Sequence, residues 1–295
     1  MSYFKLLGFE KEPFSTSPDP NFFYLTKEHE SALTNVLIEL RLRRGLSVVL
    51  GDVGTGKTTL SRKLIQCLKE RGDFIIHIVL DPCFDSEHLF LTSLVKNFDI
   101  HLERYGSPAA PGQPTVLDLK EALEKFLYQK YMIEGKTVVL IIDEAQKLSE
   151  ASMEMLRVIL NYETNENKLL QLVLLGQLEL HSKIMNISNF FDRISFKYVL
   201  NPLGFQETKD MIEFRIRQAG YKANSRLFLD DAIHLIHKIS RGYPRKITLL
   251  CHRALKRLVT KNQWSVDESV VREIVSEDIH SGWLSPIALN TQNMM

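Results

Sequence analysis

The eight residues Gly51-Asp52-Val53-Gly54-Thr55-Gly56-Lys57-Thr58 constrain this chain more than any other stretch of it. They fit G-x-x-x-x-G-K-[ST], a pattern whose glycines let the backbone curl until successive N–H groups point inward at a polyphosphate. Lys57 adds a point charge for the β- and γ-phosphates of a nucleoside triphosphate, and the Thr58 hydroxyl suits a Mg²⁺ ion. Both flanks agree with this reading. Leu46-Ser47-Val48-Val49-Leu50 is a short β-branched and apolar run, hence a buried strand, and Leu60, Leu64, Ile65 and Leu68 recur at helical spacing after the loop. A strand, a glycine-rich loop and a helix N-terminus make an anion site from exposed amides and the helix dipole. The expected ligands are ATP or ADP with Mg²⁺, held by Asp52, Val53, Gly54, Thr55, Gly56, Lys57, Thr58 and Thr59.

The rest of the pattern is organised around that unit. Helices are predicted near 27–44, 57–71, 86–98, 116–133 and 150–163, and strands near 46–50, 74–80, 138–142, 169–175 and 197–200. Strands alternating with helices predict an α/β fold, a five-stranded parallel sheet with helices on both faces. After Asn201-Pro202-Leu203-Gly204 the strands stop, and helical segments follow near 206–219, 229–240, 244–261 and 267–277, an all-helical C-terminal domain. Residues 1–25 carry seven aromatic or aliphatic anchors, Phe4 to Tyr24, among Pro13, Pro18 and Pro20, and these prolines exclude a regular helix or central strand. The expected organisation is therefore an aromatic segment at 1–25, the α/β domain at 26–204, the helical domain at 205–280 and a tail at 281–295. Residues 104–114, with Gly106, Pro108, Pro111, Gly112 and Pro114, read as a surface loop.

Composition excludes several classes. A formal net charge of +1 argues against wholesale adhesion to nucleic acid or anionic lipid. Cys67, Cys83 and Cys251 are odd in number and far apart, which suggests neither a disulfide framework nor a zinc site, and points to reduced thiols in the cytoplasm. No apolar run approaches the roughly 18–20 residues of a membrane span, and the N-terminus lacks the regions of a signal peptide.

The third predicted strand, Val138 to Ile142, is apolar throughout and ends in Asp143-Glu144. In a parallel sheet, ligands bind at the strands' C-terminal edge, so these carboxylates arrive where the phosphates would be. Asp143 would hold Mg²⁺ directly or through water, and Glu144 would orient and polarise the attacking water. Phosphoryl transfer needs positioning and charge neutralisation more than covalent chemistry, so this division of labour suffices.

These motifs, followed by a helical C-terminal part, resemble the AAA+ ATPases, and within them the secretion ATPases of the ExeA/GspA type and the transposition ATPases of the TniB/TnsC type. The resemblance covers about residues 1–275. It rests on Phe4-x-x-Leu7-Gly8-Phe9 with Pro13-Phe14 and Pro18-Asp19-Pro20; on the loop through Thr59; on Ile142-Asp143-Glu144-Ala145-Gln146; on Gly176-Gln177-Leu178-Glu179-Leu180; on Arg193-Ile194 with Leu200-Asn201-Pro202-Leu203; and on Gly242-Tyr243-Pro244-Arg245. It implies a P-loop sheet domain with a helical lid, and an N-terminal segment packing at the nucleotide. It further implies that Gln177 senses the γ-phosphate, that Arg193 reaches a neighbouring subunit's nucleotide, and that Arg245 contacts phosphate from the lid. Tyr24, Leu25 and His29 would wall the adenine. The implied activity is Mg²⁺-dependent ATP hydrolysis by a nucleotide-dependent ring or filament of identical subunits, acting as a motor or switch with a protein partner in secretion, pilus or cell-envelope assembly. The alternative is an ATP-dependent DNA-binding adaptor for transposition. Proteins of the ExeA type often continue into a membrane helix and a peptidoglycan-binding module; the sequence contains neither, and no membrane insertion or direct role at the cell wall is expected of it. A small-molecule kinase on the same loop is disfavoured by the appended helical domain and Arg245.

Arg245, Lys246, Arg253, Lys256, Arg257 and Lys261 fall on one predicted helix, with Arg253, Arg257 and Lys261 at i, i+4, i+8. Such a stripe suits DNA phosphates, yet with so small a net charge a solvated helix face is the favoured reading.

Overall fold

A computed structural model describes residues 2–17, 19–102, 113–187, 189–222 and 226–283. Pro18, most of the loop expected at 104–114 and most of the tail expected at 281–295 lie outside the described residues. In chain order the elements are α1 (Tyr3–Leu6), α2 (Lys27–Arg41), β1 (Leu46–Gly51), α3 (Lys57–Lys69), β2 (Phe74–Val79), α4 (Glu87–Asn97) and α5 (Val116–Met132). Then come β3 (Thr137–Ile142), α6 (Glu150–Ile159), β4 (Leu170–Gly176), α7 (Glu179–Met185), β5 (Ile194–Leu200), α8 (Phe205–Gln218), α9 (Asp230–Ser240), α10 (Pro244–Lys261) and α11 (Glu268–His280). Short 3₁₀ turns occupy Pro20–Phe22, Ala145–Lys147 and Phe191–Arg193.

The chain divides into two compact units, one of residues 27–53 and 60–200, the other of residues 1–26, 54–59 and 201–295. The first is built on a parallel sheet in the order β2-β3-β4-β1-β5. β1, β3 and β4 lie inside it and every one of their residues is buried, and apart from Ser47, Thr137 and Gln171 their side chains are apolar on both faces. Val138 to Ile142 alone supply five such side chains, each worth about 1.5–3 kcal/mol when fully buried. β5 is an edge strand, and its residues alternate between half-buried and exposed until Leu200. That alternation explains why it begins at Ile194, three residues ahead of the expected 197, since Ser195 and Lys197 break any continuous apolar signal. α6 stops at Ile159, short of the expected 163, because Glu163 and Lys168 form an antiparallel bridge around a turn that the Thr164 hydroxyl closes by accepting from the Asn167 N–H at 3.2 Å. Side chains cap the surrounding helices as sequence chemistry prefers, with Ser86 on α4, a Thr115–Asp118 capping box on α5 and Ser149 on α6.

The second unit has a separate apolar core. Ile212, Ile233, Ile236, Ile247, Cys251, Leu255, Leu258, Val271 and Ile274 from α8 to α11 pack together. Phe9, Phe14 and Phe22 of the N-terminal segment are buried in the same core. One turn of helix, α1, precedes Pro13, so the N-terminal segment is less irregular than its prolines imply.

Candidate functional site

Pairing within the sheet sets three strand ends level. Leu50 pairs with Gly176, and Ile142 pairs with Leu174 on one side and Val79 on the other. Gly51-Asp52, Asp143-Glu144 and Gly176-Gln177 therefore emerge together at the C-terminal edge, from three adjacent strands. Asp143 is 2% exposed, and its Oδ1 accepts the Glu144 N–H at 3.0 Å. Glu144 has φ +52°, a left-handed conformation that a residue with a Cβ adopts at a cost of about 1–2 kcal/mol. The reversal turns the chain from strand into the 3₁₀ turn and holds Glu144 beside Gln146, whose Nε2 donates to Glu144 Oε2 at 2.7 Å. The Gln177 N–H donates to Gln146 Oε1 at 3.0 Å. Lys183 of α7 donates from Nζ to the carbonyls of Gln146 and Leu148 and so pins the turn.

The phosphate-loop glycines behave as their chemistry requires. Gly54 and Gly56 have φ of +88° and +102°, which side-chain-bearing residues rarely adopt. A Cβ on Gly54 would sit 3.0 Å from Arg245 Cβ, and the Arg245 N–H donates to the Gly54 carbonyl at 3.3 Å. Arg245 stands in the first turn of α10 behind Pro244, and Gly242 makes that approach possible. Its φ is +74°, and a Cβ there would lie 2.0 Å from the Leu203 carbonyl oxygen. Thr55 and Lys57 are buried at 1% and 5% exposure. Two left-handed glycines followed by the N-terminus of a 13-residue helix fit a polyphosphate. Among the described residues no three His, Cys, Asp or Glu side chains are grouped to hold a metal alone. Of the two residues expected to hold Mg²⁺, Thr58 lies in the stretch 54–59 grouped with the helical unit, and Asp143 lies in the sheet unit.

Arg193 stands immediately ahead of β5, whose first residue, Ile194, pairs with Leu46 at the start of β1. This is the sheet's N-terminal edge, a strand length of seven residues, about 20 Å, from the edge that carries Asp143. Its guanidinium donates to Asn161 Oδ1 at 2.8 Å and to the Asn189 carbonyl, and it lines a cleft of about 830 Å³ with Arg43, Arg44, Glu163 and Lys168. Of the residues assigned to adenine, Tyr24 belongs to the helical unit. Its ring lies 5.8 Å from Phe214 and its hydroxyl donates to Asp210 at 3.5 Å. Leu25 follows it half-buried, whereas His29 is 1% exposed on α2 of the sheet unit.

The basic stripe of α10 is consumed by α11. Arg253 pairs with Asp278 at 2.5 Å, Arg257 with Glu277, and Lys261 with Glu273 at 2.5 Å. Lys256 and Lys246 lie over the rings of Tyr3 and Tyr243. The partners were legible only as the acids Glu273, Glu277 and Asp278 on the facing helix, the first two one helical turn apart.

Sequence reasoning assigned no role to Gln146, Lys183 or Arg215. Arg215 is 9% exposed and donates to the carbonyls of Pro13 and Ser15 at 2.8 and 2.9 Å, tying the N-terminal segment to α8. Burial holds its guanidinium down at about 10. A signal did exist, because Arg215 occupies the core-facing spacing of Thr208, Met211 and Ile212, a place where a cation needs buried acceptors.

Comparison with known proteins adds three findings. A family model described as "AAA domain" matches residues 40–184. General secretion pathway protein A of Aeromonas hydrophila is 34% identical over 255 residues, which are 86% of this chain and 44% of that protein, so the chain spans less than half of this relative's length. Among solved structures, Cdc6p from Pyrobaculum aerophilum aligns with a TM-score of 0.66 at 18% identity over 90% of this chain and 70% of that one. The Aeropyrum pernix ORC2 protein in its ADPNP-ADP complexes aligns with a TM-score of 0.60 at 19% identity over 87% of this chain and 71% of that one. At these identities the solved structures bear on the fold.

Proposed function

This chain has the AAA+ P-loop fold and is a relative of General secretion pathway protein A, and on that premise we propose that it binds ATP and hydrolyses it to ADP and phosphate as an oligomeric motor or switch. The observation that carries the reading is that β1 runs out into the first loop residues, Gly51-Asp52, level with a buried aspartate and a turn-held glutamate at the sheet's C-terminal edge.

The loop N–H groups and Lys57 hold the β- and γ-phosphates, and Arg245 adds a second cation from the start of α10. Thr58 and Asp143 hold Mg²⁺, which when bound neutralises phosphate charge. Glu144 turns its carboxylate toward the attacking water, orients it and accepts its proton. Gln177 reads the terminal phosphate. Tyr24, Leu25 and His29 belong to the adenine wall. The similar ORC2 protein carries ADPNP and ADP, which agrees with an adenine nucleotide.

Arg193 completes the site of a second copy. It cannot serve a nucleotide at the opposite edge of its own sheet, because an arginine side chain is far shorter than the roughly 20 Å of strand between. Assembly into a ring or filament supplies that contact, and arginines of this kind contribute about 10³- to 10⁵-fold in rate. The similarity to a secretion protein supports a role in assembly of a secretion or envelope system, with a protein partner. The DNA-adaptor reading is not carried forward, since its basic stripe is bonded to α11.

Steady-state ATP hydrolysis by the full chain and by Glu144→Gln tests the proposal. The variant should bind ATP as the parent does and turn over at least about 100-fold more slowly. Equal rates, or a folded parent that captures neither ATP nor ADP in calorimetry, would overturn it.

A further inference from the structure

We propose that Gln146 is a positioning residue for the reaction, a directional bridge that holds the Glu144 carboxylate to the backbone at the end of β4. The inference rests on the hydrolytic role given to Glu144 above.

Gln146 is 7% exposed, although its neighbours across the 3₁₀ turn, Glu144 and Lys147, reach solvent. Both ends of its amide are used. Nε2 donates to Glu144 Oε2 at 2.7 Å and Oε1 accepts the Gln177 N–H at 3.0 Å. The orientation is dictated by the partners, since a rotated amide would set oxygen against carboxylate and N–H against N–H. The neighbourhood is shaped to admit it. At Gly176 a Cβ would sit 3.3 Å from Gln146 Oε1 and 2.6 Å from Leu180 Cδ2, so the strand end has no side chain where the amide passes. Lys183 fixes the backbone from which the side chain springs.

The consequence is mechanical and chemical. One carboxylate oxygen of Glu144 is occupied by an amide donor, which reserves Oε1 for the attacking water of the proposed reaction. The carboxylate is tied to the peptide N–H of Gln177, the residue assigned to the terminal phosphate. A shift of the β4 end is thereby passed to Glu144 through two hydrogen bonds. Without Gln146 the carboxylate rotates freely on a strained backbone, and misplacement by about 1 Å costs a reaction of this kind up to about 100-fold.

The test uses the full chain with Gln146→Met, close in shape but without hydrogen bonds, and Gln146→Glu, which keeps an acceptor for Gln177 N–H but sets a second carboxylate against Glu144. Gln146→Met should lower kcat about 10- to 100-fold, leave KM and the affinity for a nonhydrolysable ATP analogue within about twofold, and speed hydrogen exchange at the Gln177 amide by about tenfold or more. Gln146→Glu should lose kcat while keeping slow exchange at Gln177. In the Glu144→Gln background, Gln146→Met should add no further loss, because both changes act on one carboxylate. Full activity in Gln146→Met, or losses that multiply in the double variant, would overturn the proposal. If the parent hydrolyses ATP, Glu144→Gln does not and Gln146→Met is fully active, this inference alone fails. If Glu144→Gln hydrolyses like the parent, the proposed function falls and takes the inference with it.

Discussion

Replacing Gly242 by alanine isolates the backbone contact that seats α10. The site is left-handed at φ +74°, and an alanine Cβ would meet the Leu203 carbonyl oxygen at 2.0 Å and its carbon at 3.0 Å. The left-handed backbone alone costs alanine about 1–2 kcal/mol. The overlap cannot be relieved by a rotamer, because the obstacle is main chain. Something must therefore open, and the Leu203 N–H to Gly242 carbonyl bond at 2.9 Å is the nearest. Leaving such buried groups unpaired costs about 1–3 kcal/mol. The expected total is about 2–5 kcal/mol, a large part of an ordinary domain's stability. Gly8→Ala is the control in the same unit, because its φ is +83° and nothing lies within 4 Å of its new Cβ, so it carries the backbone penalty alone. Urea unfolding followed by circular dichroism reads both. Gly242→Ala should lose at least about 1 kcal/mol more than Gly8→Ala; equal losses would refute the close-approach argument.

Arg215→Met should cost about 1–3 kcal/mol, because it leaves the buried Pro13 carbonyl and the part-buried Ser15 carbonyl without their charged donor; faster proteolysis of residues 2–17 would register it, and an unchanged digestion pattern would contradict it. Stability should fall as pH drops below about 6.5. Burial lowers His77, His237 and His252, so the unfolded chain binds more protons in that window, and the neutral form's contribution is complete only above it. Melting temperatures from pH 8 to 5 should decline, and His77→Phe should flatten part of the slope. Arg253→Ala and Arg257→Ala should each remove about 0.5–1 kcal/mol at low salt and less at high salt, while leaving any affinity for random duplex DNA unchanged in a filter-binding titration.

The edge strand and the helix boundaries show where the sequence ran out. β1, β3 and β4 are buried on both faces, so their apolar runs announce them directly. β5 serves one buried face, and its start was hidden by Ser195 and Lys197. The end of α6 was decided by the Glu163–Lys168 bridge, a pairing between residues with no periodic signature.

The sequence by itself determined the phosphate loop, the acids after β3 and the alternation of strand and helix, because each is a local pattern whose chemistry acts over a few residues. Only the tertiary structure decided that Gln146 joins Glu144 to Gln177, that Arg215 holds the N-terminal segment, and that the α10 stripe is spent on α11. Apart from the short step from Glu144 to Gln146, those contacts link residues that are not neighbours along the chain, and burial and distance, which decide whether a charge is paired or free, exist only once the elements have packed.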